Sequence, residues 1–249
     1  MIYVCIPTHN EAATVGVLLW KIRNVLGEFG RDYCLVVHDD ASSDETAEVL
    51  QRYRRSLPLT VLRSQQRIGY GRSVEVLLRH ACDEAPYPKR DCAVVLQADF
   101  TDRPDDVVTA VKILEGGVDI VAGSLEDEDI NRVTAVRLAR WASRTFLPRI
   151  FRNAPVSDPL AGLRVYRVIV LKKAFRDSSD QNPLISSEGW AANVELLGRL
   201  LPHARRVAEV PMRLRYDLRT RPSRFRPWGT FLELARLPTS LWSRDVDDA

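Results

Sequence analysis

The chain has 249 residues, 45% of them hydrophobic, which is enough for one α/β domain with a sizeable core. Its 36 basic and 33 acidic residues leave a formal net charge of +3, smaller than a nucleic-acid-binding protein typically carries. No run approaches the roughly 18 apolar residues of a membrane-spanning helix. The four cysteines lack the spacing of a metal site and lie mostly in apolar runs, so a reducing compartment such as the cytoplasm is expected.

Strands and helices alternate through the first half of the chain. Short apolar runs predict strands at residues 2–6, 33–38, 59–62, 93–96 and 119–122. Between them, apolar residues recur at helical spacing and predict helices at 15–26, 46–53, 69–81 and 104–114. This alternation is typical of an α/β fold with a Rossmann-like, doubly wound, mostly parallel sheet. The second half is less regular: residues 134–150 have the pattern of an amphipathic helix, and residues 207–216 that of a strand.

Two adjacent carboxylates, Asp39 and Asp40, follow the second predicted strand. Ligands of open α/β sheets bind at the carboxyl ends of strands. There the two side chains would accept hydrogen bonds from ribose or a base, or hold a divalent cation. The alternative interpretation is helix capping, because Ser42 and Glu45 have the spacing of a capping box. Capping leaves Asp39 and Asp40 unexplained.

The loop after the first strand contains Pro7, Thr8, Asn10 and Glu11. Its backbone groups and the Glu11 carboxylate would wrap a ribose or base edge, or the loop would simply start the first helix. Gly71 lies at the start of the third helix, where glycine permits close backbone approach and the helix dipole favours an anion. No Gly-x-Gly-x-x-Gly or Walker pattern is present, so dinucleotide and ATP sites are not expected.

A third acidic segment, Gln97-Ala98-Asp99-Phe100-Thr101-Asp102, follows the fourth strand. Asp99 would hold a metal ion bridging a diphosphate, since magnesium and manganese use one or two carboxylates plus phosphate oxygens. Asp102 is also suited to cap the next helix, which leaves Asp99 unexplained. Farther along, Asp158 and Arg164 flank a turn, where Asp158 would serve as a base or would neutralise an arginine.

Together and in this order, these segments resemble the family 2 glycosyltransferases of GT-A fold, in particular the dolichyl- and polyprenyl-phosphate mannose or glucose transferases. Residues 7–11 resemble the family's Pro-x-x-Asn-Glu. Residues 39–46 match its Asp-Asp-x-Ser-x-Asp-x-Thr at every fixed position. Residues 157–164, 209–212 and 216–225 resemble three later elements of the family.

The chain departs from this family pattern in three elements. Gln97 stands at the first carboxylate of an Asp-x-Asp metal motif, so the site would carry one negative charge less. In the last loop Arg221 stands for a glycine and Arg224 for a lysine, and Leu125 stands where an arginine is usual. These departures leave the expected fold unchanged.

The resemblance implies inverting transfer of mannose or glucose from GDP-mannose or UDP-glucose to a polyprenyl or dolichyl phosphate, with Mg²⁺ or Mn²⁺ as cofactor. The implied nucleotide-sugar-binding residues are Pro7, Thr8, Asn10, Glu11, Asp39, Asp40, Gly71 and Ala98. The other implied sites are Asp99, Gln97 and Thr101 for the metal, Asp158 and Arg164 for catalysis, and Arg219, Ser223 and Arg224 for the acceptor or its phosphate. Two alternatives stay open: a transferase acting on a saccharide or other hydroxyl with Asp158 as base, and a non-catalytic nucleotide-sugar-binding protein.

The change in the pattern of predicted elements after residue 125 also predicts a domain division. Residues 1–225 would form one glycosyltransferase domain with a nucleotide-sugar half (1–125) and an acceptor half (126–225), followed by an amphipathic tail (226–249). Because a lipid acceptor is met at a membrane, the arginines of 219–226 and the apolar residues after them predict peripheral attachment at the inner face of the membrane. The alternative is that these apolar residues pack on the core. No nucleic-acid partner is expected.

Overall fold

The computed structural model describes residues 1–125, 145, 147–179, 181–212, 227–238 and 241–242. Its seven described strands form one sheet in the order β3-β2-β1-β4-β6-β5-β7. They are β1 (Ile2–Thr8), β2 (Tyr33–Asp40), β3 (Leu59–Ser64), β4 (Cys92–Val95), β5 (Ile120–Leu125), β6 (Arg164–Arg167) and β7 (Val207–Met212). All neighbouring pairs are parallel except the two that involve β6.

Eight α-helices are described around this sheet. They are α1 (Val15–Phe29), α2 (Thr46–Tyr53), α3 (Tyr70–Glu84), α4 (Pro104–Glu115), α5 (Pro148–Phe151), α6 (Val168–Ala174), α7 (Gly189–Leu200) and α8 (Pro227–Arg236). α4 begins with Pro104 and carries Asp105 and Asp106 in its first turn, which suits the missing proline N–H and the helix dipole. Within the described parts of the chain, no helix has the length and apolar character needed to cross a membrane.

Apolar side chains cover both faces of the sheet. One face packs against α1 and α4, through residues such as Leu18 and Val107. The other packs against α3, α6 and α7, through residues such as Leu77, Leu171 and Leu197. β1 and β4 are buried almost throughout, as expected for central parallel strands whose two faces are both covered. This arrangement leaves the carboxyl ends of the parallel strands as the place where polar residues collect.

The predicted α/β architecture is confirmed, and all five predicted strands of the first half are present. The strand predicted at 207–216 is present as β7, which is described to Met212. Three elements were missed: β6, α6 and α7. The helix predicted at 134–150 lies mostly outside the described residues. The division into halves at residue 125 stays a prediction.

β6 was missed because it is short and carries an arginine at each end. Arg167 is satisfied by distant groups: its Nη1 donates to Lys89 O at 2.8 Å, its Nη2 to Val118 O at 2.8 Å and its Nε to Asp119 Oδ1 at 3.2 Å. These bonds fasten β6 between its antiparallel neighbours β4 and β5. A pattern of apolar residues gives no sign of such a strand.

The apolar residues of the C-terminal segment pack on the core. Leu234, Leu237 and Leu241 are 0%, 5% and 7% exposed and cluster with residues of α5 and α7. Trp242 Nε1 donates to Ile150 O at 3.1 Å. Only Leu232 among the described leucines of α8 is exposed, at 54%. The prediction that this apolar face is free to enter a membrane is therefore wrong for the buried leucines.

His38 on β2 makes stability depend on pH. It is 2% exposed, its Nε2 lies 3.0 Å from Ser64 Oγ, and its Nδ1 has no hydrogen-bond partner among the described residues. Burial lowers the pKa of His38 below the ordinary 6.5, although the nearby Asp40 and Asp39 oppose this shift. The unfolded chain then binds a proton more readily than the folded protein, so stability rises with pH between the folded pKa and 6.5.

We therefore expect the free energy of unfolding to fall as the pH is lowered through 6.5 toward the folded pKa of His38. Urea titrations across this window should show a shallower pH slope for His38→Gln than for the wild type. Gln51→Met, a change at an exposed residue of α2 that does not titrate, is the control and should keep the wild-type slope. An equal slope for His38→Gln and the wild type would contradict the assignment.

Candidate functional site

The loops after β1, β2 and β4 lie at one edge of the sheet, because these three strands are parallel neighbours. Each loop contains a non-glycine residue with positive φ: Asn10 at 51°, Ala41 at 52° and Phe100 at 62°. Such conformations cost about 1–3 kcal/mol each and concentrate at functional sites. The structure thus brings together three of the segments predicted to bind a nucleotide sugar and a metal, and it strains the backbone in each of them.

The first two loops are bonded to each other. Asn10 N donates to Ser42 Oγ at 2.9 Å, and Asn10 Oδ1 accepts from Ser43 N at 2.8 Å. Glu11 N donates to Thr46 Oγ1 at 2.8 Å. Side chains of the matched motif therefore set the distance between the loops, and the Asn10 amide serves this structural purpose.

The other predicted residues of the first loop stay close to β1. Pro7 and Thr8 are paired with β2, opposite His38 and Asp39. The Glu11 side chain is 5% exposed, and its Oε2 accepts from Thr14 Oγ1 at 2.9 Å. The Glu11 carboxylate is thus held in place at the start of α1, close to the β2 loop.

Asp39 and Asp40 differ in how their oxygens are used. Asp39 is fully buried; its Oδ1 accepts from Ser42 N at 3.0 Å. Its Oδ2 lies 3.3 Å from Arg63 Nε, an ion-pair distance without hydrogen-bond geometry. Asp40 instead bonds the loop before α3, accepting from Ile68 N at 2.7 Å and Gly69 N at 2.9 Å. Asp39 therefore keeps one oxygen outside any hydrogen bond among the described residues, whereas both oxygens of Asp40 are engaged.

A carboxylate occupies the N-terminus of α3, where an anionic ligand was expected. Glu188 Oε2 accepts from Tyr70 N at 2.7 Å and from Gly71 N at 3.4 Å. Gly69, with φ of 89°, is required because a Cβ there would overlap the Glu188 carboxylate. Burial of its carboxylate end raises the pKa of Glu188, and the charge of Asp40 adds to this. The Gly71 N–H is thus directed at Glu188, and its predicted approach to the nucleotide sugar stays a prediction.

Two further carboxylates fix the segment that presents Glu188. Glu75, 1% exposed on α3, accepts from Leu184 N at 3.2 Å and Ile185 N at 3.0 Å. Glu195, 3% exposed on α7, accepts from the next two amides, of residues 186–187, at 2.9 and 2.8 Å. Four successive amides thus donate to buried carboxylates, which hold this segment against α3 and α7.

Sequence reasoning missed Glu75, Glu188 and Glu195. Glu75 had a weak signal, because it interrupts the apolar face of α3 next to Val74 and Leu78. The other two had none, since their partners are main-chain amides that only the folded chain brings near.

The segment after β4 could hold a divalent cation. Asp99 is 4% exposed, and its Oδ1 accepts from Thr101 N at 3.0 Å. Thr101 Oγ1 is buried without a hydrogen-bond partner in the described structure. Among the described residues, no three His, Cys, Asp or Glu side chains cluster as a ready-made metal site. One carboxylate beside an unpartnered hydroxyl fits Mg²⁺ or Mn²⁺ that takes its remaining ligands from phosphate and water.

Asp102 closes this segment rather than capping α4. Its Oδ2 accepts from Gln97 N at 3.1 Å, and no side chain caps the N-terminus of α4. The predicted capping role of Asp102 is therefore corrected. The bond draws Gln97, Ala98 and Asp99 into a compact turn, in which Ala98 is 4% exposed.

Arg164 holds the turn that contains Asp158 through hydrogen bonds to main-chain carbonyls. Asp158 is 2% exposed, and its Oδ1 accepts from Leu160 N at 3.2 Å. Arg164, 1% exposed, donates from Nη1 to Asn193 O at 2.8 Å and from Nη2 to Pro159 O at 2.5 Å. The guanidinium of Arg164 thus holds the turn onto α7, and the predicted catalytic roles of Asp158 and Arg164 stay predictions. The predicted acceptor or phosphate ligands, Arg219, Ser223 and Arg224, lie outside the described residues.

Comparison with known sequences shows two similar sugar transferases. The chain is 27% identical over 215 residues to the dolichol-phosphate mannosyltransferase of Pyrococcus furiosus, covering 84% of this chain and 54% of that protein. It is 28% identical over 191 residues to the undecaprenyl-phosphate 4-deoxy-4-formamido-L-arabinose transferase of Pseudomonas paraeruginosa, covering 75% of this chain and 53% of that protein. The chain thus spans about half the length of the curated relatives it matches.

Solved structures show the same fold. Glucosyl-3-phosphoglycerate synthase of Mycobacterium tuberculosis in complex with phosphoglyceric acid superposes with a TM-score of 0.62 at 22% identity, over 89% of this chain and 73% of that one. Its complex with Mn²⁺, UDP and glucosyl-3-phosphoglycerate gives a TM-score of 0.60 at 20% identity, with the same coverage. At these identities the likeness establishes the GT-A fold alone. The model of the family described as Glycosyl transferase family 2 matches residues 3–175, well over half of the chain, and the chain therefore belongs to this family.

Proposed function

We propose that this protein is an inverting hexosyltransferase that moves mannose or glucose from a nucleoside-diphosphate sugar to a polyprenyl phosphate. The observation that carries the proposal is the convergence of the loops after β1, β2 and β4, with buried Asp39 and Asp99 at their strand ends. Family membership and the two similar polyprenyl-phosphate sugar transferases support it.

On the donor side, Glu11 and Asp39 would hold the nucleoside. Both side chains are buried, and Asp39 Oδ2 has capacity to accept a further hydrogen bond from a ribose hydroxyl or a base N–H. Pro7, Thr8 and Ala98 would line the site through their backbone. Asp40 and Asn10 would act indirectly, by holding the loops in position.

A divalent cation would be held by Asp99 with the Thr101 hydroxyl. When bound, it offsets negative charge on the leaving diphosphate. Gln97, the third predicted ligand, is neutral and adds no charge to the site. The chain's own contribution is the rigid turn closed by Asp102, which fixes the direction of the Asp99 carboxylate.

On the acceptor side, an ionised phosphate needs little help from a general base, so positioning and electrostatics supply most of the rate. The acceptor would bind at the turn of residues 158–164. Asp158 would then hold this turn in position rather than remove a proton, in keeping with its bond to Leu160 N. Arg219, Ser223 and Arg224 would hold acceptor phosphate, since arginine's planar fork suits phosphate oxygens.

Incubation with labelled GDP-mannose and UDP-glucose plus polyprenyl phosphate, followed by organic extraction, tests the reaction. We expect label from one donor in the organic phase, and we expect Asp99→Asn or chelator to abolish it because the diphosphate charge is no longer offset. Asp105→Asn, an exposed change on α4, is the control and should be fully active. Label that appears only on soluble hydroxyl compounds, or no turnover at all, would contradict the proposed acceptor or the proposed catalysis.

We also propose that membrane contact is electrostatic, because Leu234, Leu237 and Leu241 are buried. Basic residues near anionic headgroups contribute about 1 kcal/mol each. We expect cosedimentation with anionic liposomes that high salt reverses, and weaker binding for the double variant Arg224→Glu with Arg226→Glu. The same charge reversal at exposed Arg54 and Arg55 should have little effect. Failure of the wild type to bind anionic vesicles at low salt would rule out this attachment.

A further inference from the structure

The side chain of Gln97 faces the turn that contains Asp158. Its Nε2 lies against Gly162, where an added Cβ would overlap that nitrogen. A glycine at 162 is therefore what makes room for the Gln97 carboxamide. The contact joins the segment after β4 to the turn before β6, which are far apart in sequence.

The Gln97 carboxamide has unused hydrogen-bonding capacity. Gln97 is half-buried, and its side chain makes no hydrogen bond to any of the described residues. Its backbone is nevertheless fixed, because Gln97 N donates to Asp102 Oδ2 at 3.1 Å and Leu96 N donates to Cys5 O at 3.1 Å. A partly exposed amide on a fixed backbone, with N–H groups that no described residue accepts, can donate to a ligand.

The charge around Gln97 favours a neutral group. Asp99 and Asp102, two and five residues along the chain, are both buried carboxylates. A third carboxylate at position 97 would repel them and any phosphate bound nearby. An amide adds no charge and supplies two N–H donors, which a carboxylate lacks.

We propose that Gln97 is a specificity-determining residue that donates a hydrogen bond to the phosphate of the acceptor, and is not a ligand of the cation. The inference rests on the proposed function, which places the acceptor at the turn of residues 158–164. The cation site then has Asp99 as its single carboxylate. Gln97, at the contact between the segment after β4 and the turn before β6, would favour an acceptor that carries negative charge.

The test separates phosphate binding from cation binding. A short-chain isoprenyl monophosphate, citronellyl phosphate, is titrated by calorimetry into protein in buffer with Mn²⁺, GDP and UDP. Mn²⁺ affinity is measured in parallel by electron paramagnetic resonance. Gln97→Met, of similar length without N–H groups, should weaken citronellyl phosphate binding about tenfold or more, as loss of a hydrogen bond to a charged group predicts. Gln97→Glu should weaken it further, and Gln97→Met should keep Mn²⁺ affinity within about threefold of the wild type because Asp99 and Thr101 stay in place.

Two controls exclude a merely structural effect. Gln51→Met, on the exposed surface of α2, should bind citronellyl phosphate like the wild type. Gly162→Ala should displace the Gln97 carboxamide and weaken binding in the wild-type background. In the Gln97→Ala background, where no carboxamide is present to displace, Gly162→Ala should have little further effect.

Each result decides the inference. About tenfold weaker Mn²⁺ binding by Gln97→Met with unchanged phosphate affinity would make Gln97 a cation ligand and overturn it. A wild type that does not bind citronellyl phosphate, or a Gln97→Met variant that binds it equally well, would also overturn it. If binding depends on Gln97 but no sugar reaches polyprenyl phosphate in the extraction assay, the proposed reaction fails while the inference stands.

Discussion

Carboxylates that accept main-chain N–H groups hold this site together. Asp39, Asp40, Asp99 and Asp102 each close a turn at the carboxyl edge of the sheet, and Glu188 closes the N-terminus of α3. Hydrogen bonds to ionised acceptors are about twice as strong as neutral ones. The bonds of Asp39 to Ser42 N and of Asp99 to Thr101 N enclose Ala41 and Phe100 and support the positive φ angles of these two residues. These bonds hold the carboxylates at the carboxyl edge of the sheet in fixed positions.

Side-chain bonds to the main chain also hold the segments that lie farther along the chain. Glu75 and Glu195 fix the segment that carries Glu188, and Arg164 fixes the turn of Asp158 by donating to carbonyls. Many charged side chains of the site thus organise backbone and are not aimed at substrate. Among the described residues, the polar groups without a hydrogen-bond partner include Asp39 Oδ2 and the Thr101 hydroxyl. This division explains how a highly charged site can be rigid.

The parts of this molecule that sequence predicts are those decided by local pattern. Alternating apolar runs and helical periodicity predicted β1 to β5 and the helices between them, and the spacing of residues 39–46 predicted the family. β6 was not predicted because Arg164 and Arg167 form hydrogen bonds with residues far away in the sequence. The role of Glu188 was not predicted for the same reason, since the Tyr70 amide that it accepts from is remote in sequence. The C-terminal leucines were ambiguous because an apolar helix face suits a membrane and a protein core equally, and only packing against α7 decides.

The proposed function requires that a nucleoside diphosphate and a divalent cation bind at the carboxyl edge of β1, β2 and β4. Crystals grown with Mn²⁺ and GDP or UDP test it most directly, through anomalous scattering from manganese. We expect a manganese peak within coordination distance of the Asp99 carboxylate. The diphosphate should bind the same ion, and the nucleoside should lie beside Asp39 and Glu11. A manganese peak away from Asp99, or a nucleotide bound elsewhere on the protein, would contradict it.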